Sequence, residues 1–201
     1  MAASTLTSIN DRWQTGADGA GLGTAITNHA GILDRATAAD LCTADSTTVT
    51  NTTTQTAFNA SGTILKHSLA STSLTAGTVL EHFAHFDVSG VNSPNTLRLR
   101  LYYGNPVSAT DFTGSTLIFD STALGFSSGT QYQVCAKLVF RAVGGSGSVA
   151  VFPVGNFPTD VVAPTVTSVD TTSDKTLYWT ATWSAANSGN VVAMRSLNVK
   201  A

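Results

Sequence analysis

Charged side chains are scarce in this chain of 201 residues. Asp, Glu, Lys and Arg together make up 11% of it, and the formal net charge is −2. Charge-driven binding to nucleic acid or to an anionic membrane surface requires a clustered basic face. The composition gives no basis for such a face, so we expect neither nucleic acid nor a membrane among the partners.

Cysteine and long apolar runs are also lacking. The two cysteines, Cys42 and Cys135, are too few for a disulfide framework in a chain of this size. We expect free thiols, with Cys135 a small buried or wall residue in a strand. No apolar run approaches the roughly 20 residues of a membrane span, and Met1–Leu6 lacks the basic start and apolar core of a secretory signal. The chain is therefore expected to fold in a cytoplasm.

Residue types that build catalytic or metal sites do not occur at useful spacings. His82 and His85 lie three apart on a predicted strand, so alternation sends them to opposite faces and they cannot share a metal within one chain. A metal on a symmetry axis, held by copies of one histidine, stays open as an alternative. Gly145–Ser148 is a turn sequence rather than a nucleophile elbow, and the glycines of 19–23 lack the preceding strand of a phosphate-binding loop. The following acids lie mostly near loops and have no paired spacing: Asp111, Asp120, Asp160, Asp170 and Asp174. We expect a protein that is not an enzyme, without catalytic, cofactor-binding or metal-binding residues.

What the chain does contain is strong two-residue alternation. Val79–Ser89 and Thr96–Tyr103 each alternate apolar with polar residues, and the turn formers of Gly90–Asn95 join them, which predicts a β-hairpin with one buried face. Further short runs separated by Gly, Pro, Asn and Ser clusters continue to the end, with no helical pattern after residue 45. This predicts an all-β fold, an antiparallel β-sandwich over residues 46–201. The other predicted strands are Ala57–Asn59, Thr63–Leu69, Ser115–Asp120, Gln131–Val143, Ser148–Val154, Pro164–Val169, Thr176–Ser184 and Val191–Lys200.

The alternation also assigns faces. Large apolar residues recur on one side of each strand and should form the core, which leaves three bulky aromatics on nominally outward faces. Such a surplus suggests a second buried surface. The predicted core positions include Leu80, Phe86, Leu97, Leu99, Leu101, Tyr132, Leu138, Phe140, Leu177, Trp179 and Trp183. The three outward aromatics are Phe83, Tyr102 and Tyr178.

Residues 1–45 have a different pattern. Leu6, Ile9 and Trp13 fall at helical spacing, the glycines of 16–23 must break any helix there, and a weaker helical pattern follows. Two short helices cannot bury their apolar side alone, so we interpret 1–45 as a short arm, partly helical or extended, that attaches the domain to a partner. A partly disordered leader is the alternative. The positions expected to make the attachment are Leu6, Ile9, Trp13, Ile26, Ile32 and Leu33.

The order of strand and turn residues resembles a known family. The segments Thr48–Thr56, Leu74–Leu80, Asn95–Gly104 and Gln131–Arg141, followed by a glycine-rich turn and a closing strand, resemble the jelly-roll domain of tailed-bacteriophage virion proteins. These are head decoration proteins, head fibres and some tail-fibre tips. The resemblance covers about residues 46–201 and implies a sandwich of two antiparallel sheets, commonly assembled as a trimer. The resemblance thereby implies a role for Phe83, Tyr102 and Tyr178 as candidate trimer-interface residues.

The resemblance leads to a specific functional expectation. The chain would be a non-enzymatic structural protein of the virion, assembled in the host cytoplasm. As a homotrimer it would decorate or project from the head, with the arm on the major capsid protein or another virion protein. The alternative is a receptor-binding tail-fibre or tail-tip module that recognises a host saccharide or protein. A third interpretation is an enzyme acting on host glycans.

Overall fold

The fold is described from a computed structural model, which covers residues 45–90, 95–127, 129–156 and 165–200. The predicted arm, apart from Asp45, lies outside these residues, as do Cys42 and all six proposed attachment positions. Among the described residues, the regular structure consists of strands and one short 3-10 helix, Ser71–Ser73. The strands are β1 (Val49–Thr50), β2 (Thr56–Ala57), β3 (Asn59–Ala60), β4 (Thr63–Ile64), β5 (Lys66–Leu69), β6 (Val79–Ser89), β7 (Leu97–Gly104), β8 (Thr116–Asp120), β9 (Thr130–Ala142), β10 (Gly147–Gly155), β11 (Thr165–Val169), β12 (Lys175–Trp183) and β13 (Val191–Lys200).

Two antiparallel sheets form the sandwich, so the predicted all-β class is confirmed. The six-stranded sheet, called the long sheet below, has the order β1-β13-β6-β9-β10-β11. The second, called the short sheet, has the order β2-β12-β7-β8, and β5 also pairs with β12, next to β2 along the same edge. A separate small ribbon joins β3 and β4.

The strand pairing follows the jelly-roll pattern. Among eight strands counted along the chain, the first pairs with the last, the second with the seventh, the third with the sixth, and the fourth with the fifth. These antiparallel pairs are β1 with β13, β5 with β12, β6 with β9, and β7 with β8. A long hairpin rolled into two sheets gives this arrangement. The pair β10 and β11 is an addition that extends the long sheet beyond β9.

The core lies between the sheets and contains the side chains that alternation assigned to it. Trp179, Phe86 and Phe119 meet edge to face at its centre, with ring centroids 5.4 to 5.7 Å apart. Trp183 packs edge to face on Phe126 and donates from Nε1 to the Val49 carbonyl at 3.0 Å, which fixes β1 to the core. The predicted core positions are buried on both sheets. Burial of these large apolar side chains is the main stabilising term for the domain.

The predicted β-hairpin between β6 and β7 is wrong. Strand β6 pairs with β9 and β13 in the long sheet, whereas β7 pairs with β12 and β8 in the short sheet. The two strands therefore face each other across the core instead of lying side by side. Alternation identifies which face of a strand is buried, but it does not identify the partner of that strand. The paired strands of a hairpin and the opposite strands of a sandwich each bury one face, so both arrangements give the same pattern.

Candidate functional site

The outer side of the long sheet has an unusual number of exposed apolar side chains. In register, Phe83 pairs with Cys135, which pairs with Val154. Two rows further along, Val79 pairs with Val139, followed by Ala150 and Val166. Together with Phe152 between these rows, they make one surface, called the apolar face below. Its members are Val79, Phe83, Cys135, Val139, Phe152, Val154 and Val166, and Ala150 is buried between Val139 and Val166.

Five of the eight large hydrophobic residues that are exposed in the described chain lie on this face. Val154 is 68% exposed, Val166 57%, and Phe83 and Phe152 41% each. Single exposed apolar residues are common on protein surfaces, but a contiguous patch usually marks an interaction site. The face therefore has the composition of a surface that meets another surface.

Strand β10 explains why the apolar face forms. Its inward side chains, Val149 and Val151, are buried, and its outward ones, Phe152 and Val154, are apolar as well. A strand that is apolar on both sides is typical of a sheet covered on both faces. Phe83 is among the predicted outward aromatics, whereas Phe152, Val154 and Val166 were not predicted. The uninterrupted apolar run Val149–Val154 indicates the first two of these.

A row of unpaired charges crosses the apolar face. Glu81 lies in register between Lys200 on β13 and Lys137 on β9. Within the residues that the structure describes, none of these three forms an ion pair within 4.0 Å, whereas Asp87 on the same strand as Glu81 pairs with Arg195. The row leaves one carboxylate and two ammonium groups available for a partner.

A pocket of about 470 Å³ opens at the Phe83 end of the face. Its walls include Phe83, His85, Gln133, Cys135, Val154 and Ser196. Cys135 is a free thiol, as expected, and it is half-buried in the wall. Burial raises the pKa of this thiol, and the nearby Glu81 charge raises it further, so the group is a neutral, weakly nucleophilic wall residue at neutral pH.

A charged cluster borders the pocket on the other side. Arg195 donates from Nε to Asp87 at 2.7 Å and from Nη1 to Asp45, and His85 Nε2 lies 3.5 Å from the other oxygen of Asp87. The hydrogen bonds to Asp87 and Asp45 raise the pKa of the Arg195 guanidinium. The two Arg195 bonds hold the chain at Asp45 against the long sheet, whereas His85 Nε2 and the second Asp87 oxygen are buried without a hydrogen bond among the described residues.

The structure does not bring the three predicted interface aromatics together. Phe83 is on the outer face of the long sheet, whereas Tyr102 and Tyr178 pair with each other on the outer face of the short sheet. Tyr102 and Phe112 both stack on the Tyr178 ring, with centroids 5.7 and 5.9 Å away. Tyr178 consequently has no accessible surface left to bury between subunits, and burial raises the pKa of its hydroxyl to about 12. The trimer interface itself stays a prediction.

The histidines of β6 and two arginines of β7 lie within the domain as follows. His82 and His85 point to opposite sides of β6, as alternation predicts. Arg98 and Arg100 both donate to the Asp120 carboxylate, at 2.9 Å for the closest pairs. Partial burial alone would raise the pKa of Asp120, but the hydrogen bonds from Arg100 and from the Thr122 N–H lower it. This arginine pair is therefore already engaged within the short sheet.

The described residues contain neither a cluster of metal ligands nor a helix that could span a membrane. In the described ranges, no group of three or more His, Cys, Asp or Glu residues is arranged to hold a metal ion. No helix in the part of the chain that the structure covers is long and apolar enough to cross a membrane.

Comparison with known proteins gives a distant structural likeness. No family model matches the chain, and no curated protein matches it either. Among solved structures, the chain is similar to the CBM2 module of the evolved Dit of Lactobacillus casei BL23 phage J-1, with 10% sequence identity and a TM-score of 0.33. The similarity covers 67% of this chain and 66% of that one, just under two thirds of its length. At this TM-score the likeness adds nothing to the jelly-roll assignment, which depends on strand order alone.

Proposed function

We propose that this chain is a non-enzymatic structural protein of a tailed-phage virion, a head decoration or head-fibre protein that binds the capsid as a homotrimer. The observation that carries the proposal is a jelly-roll domain with an apolar outer face. Such a face suits close packing in an assembly. The resemblance of residues 46–201 to phage virion jelly rolls supports the same role.

In this role the domain and the arm have different functions. The domain supplies a rigid unit whose copies associate, and the arm, residues 1–45, supplies the contact with the major capsid protein or another virion protein. The partner is a protein surface that buries the arm's apolar side chains, among them Leu6, Ile9 and Trp13. Aromatic anchors tend to dominate such contacts.

Reconstitution on particles that lack the protein tests this proposal. Purified full-length chain should bind such particles to saturation, at a ratio of hundreds of copies per head. Binding that saturates at a few copies would place the protein at a tail structure, and no binding to any particle would contradict a virion role. A capsid-free phage tail preparation is the matched control.

The second candidate is a receptor-binding tail module, and the pocket beside Phe83 favours it. An exposed aromatic ring next to the uncharged hydrogen-bonding groups of Gln133 and Ser196 fits a sugar ring. Binding of host surface saccharide by the full chain, lost in Phe83→Ala, would support this function over decoration.

A further inference from the structure

We infer that the apolar face of the long sheet is the surface through which copies of this chain meet. The inference rests on the homotrimer of the proposed function and deepens it by assigning the contact to one sheet. It also revises the predicted interface, because it retains Phe83 and excludes Tyr102 and Tyr178.

The first argument comes from the contrast between the two outer faces. On the short sheet, Phe112 covers Tyr102 and Tyr178, and the Ala57 N–H donates to the Ala109 carbonyl of the same loop at 2.7 Å. Tyr178 is thereby fully buried and Tyr102 half-buried, which leaves Leu117 as the exposed large apolar residue described on that face. On the long sheet, Phe152, Val154 and Val166 remain exposed among the described residues.

The charges of the face suit contact with further copies of the chain. Around a threefold axis its apolar rows can pack on the apolar face of the next copy, and the Lys200, Glu81, Lys137 row contains both signs of charge. A surface with unpaired groups of both signs can pair with a second copy of itself, because each carboxylate then finds an ammonium group on the neighbour. A purely acidic or basic partner would leave one of the signs unpaired. A second copy is therefore the occupant that the charges favour.

The third argument concerns the shape of the contact. Four neighbouring strands place small or β-branched side chains side by side: Val79, Val139, Ala150 and Val166. These short side chains make this part of the sheet surface nearly flat. A flat surface of this kind suits the packing of sheet on sheet, about 10 Å apart. Phe83 and Phe152 rise from it as the larger residues that would anchor the contact.

The experiment measures the oligomeric state of the full-length chain by sedimentation velocity and equilibrium over a range of concentrations. The test variant is Val154→Lys, which places a charge at an exposed position of the apolar face. The matched control is Val107→Lys, the same change at a residue of nearly equal exposure, 69% against 68%, in the loop after β7. Far-ultraviolet circular dichroism establishes that each variant is folded.

We expect a wild-type trimer, an unchanged Val107→Lys variant, and a Val154→Lys variant whose dissociation constant rises at least about tenfold, the effect of losing about 1.4 kcal/mol of binding. Glu81→Lys should also weaken association, because it leaves only positive charges in the row. Adding Lys137→Glu to that variant should restore association, since both signs are then present again.

Three results would overturn the inference in distinguishable ways. A trimer that Val154→Lys and Glu81→Lys leave intact means that copies meet elsewhere, while the proposed assembly stands. If the wild-type chain is a monomer that still binds particles, both the trimer and this interface are wrong. The apolar face would then be covered by the arm or by the capsid. A monomer that binds no particle contradicts the proposed function as well.

Discussion

At the scale of single residues, the buried imidazole of His82 is the most consequential polar group. His82 is fully buried between the sheets, where its Nδ1 accepts a 3.0 Å hydrogen bond from Trp179 Nε1. Its Nε2 finds no partner in the described chain, and the His67 ring centroid is 6.1 Å away. Burial, reinforced by His67, lowers the pKa of His82 to about 3. The imidazole is therefore neutral in the folded protein at neutral pH, and its bond to Trp179 requires that state.

The predicted consequence is a loss of stability in mild acid. The pKa of His82 is lower in the folded than in the unfolded chain, so below about pH 6.5 the unfolded chain binds one more proton and stability falls as the pH falls towards 3. The loss from this group should reach about 2 kcal/mol by pH 5. Urea unfolding at pH 7, 6 and 5 measures it, and His82→Phe should show a shallower dependence on pH.

His85→Gln is the control for this experiment, because His85 is on the outer side of the same strand. This variant leaves the His82–Trp179 hydrogen bond in place, so the loss of stability attributed to His82 should remain. An equal slope in the wild type and in His82→Phe would show that His82 does not control the acid response.

At the scale of elements, β7 ends where another segment passes unusually close. Gly104 has a φ of +147°, and a Cβ at this position would lie 2.5 Å from the Ser115 Cα. An added methyl group must displace backbone, so Gly104→Ala should destabilise the domain by about 1 to 3 kcal/mol. Gly145→Ala, in the turn between β9 and β10, meets no atom within 4 Å and should change stability by less than about 0.5 kcal/mol. Urea midpoints of the two variants compare them directly, and equal values would contradict the close approach.

The strands themselves were largely predictable, whereas their partners were not. Val79–Ser89 was predicted with the bounds that β6 has, because alternation and the flanking turn residues are local signals. The assignment of β7 to the other sheet is a long-range choice, which depends on the packing of Leu97 and Leu101 across the core. The short strand β1 is absent from the predicted strands, because its place is fixed by distant contacts such as the Trp183 hydrogen bond to Val49.

The candidate site was only partly predictable for a related reason. Phe83 interrupts a clean alternation and is therefore visible in the sequence. Tyr178 gives the same signal, but its surface is covered by Phe112 from a loop whose path local patterns do not specify. Val154 and Val166 become neighbours of Phe83 and Val79 only through the register of four strands. Patterns along the chain indicate which apolar residues point away from the core. The order and register of the strands in the sheet determine which of these residues become neighbours.

At the scale of the whole molecule, the arm and the domain have separate roles in the proposed function. Deleting residues 1–45 should leave a soluble trimer that no longer binds particles lacking the native protein, because the proposed interface lies within the domain and the proposed attachment does not. Trp13→Ala in the full chain should weaken particle binding while leaving the sedimentation coefficient unchanged. Co-sedimentation with particles measures both effects. Saturation by the truncated protein at the wild-type concentration would mean that the domain makes the attachment.

The most direct test of the proposed virion role is the number of copies of this chain in purified phage particles, measured by quantitative mass spectrometry against the major capsid protein. A decoration or head-fibre protein should be present in hundreds of copies, in multiples of three, and should remain with the heads when tails are removed. A count of a few copies that separate with the tails, or absence from the particle, would contradict it.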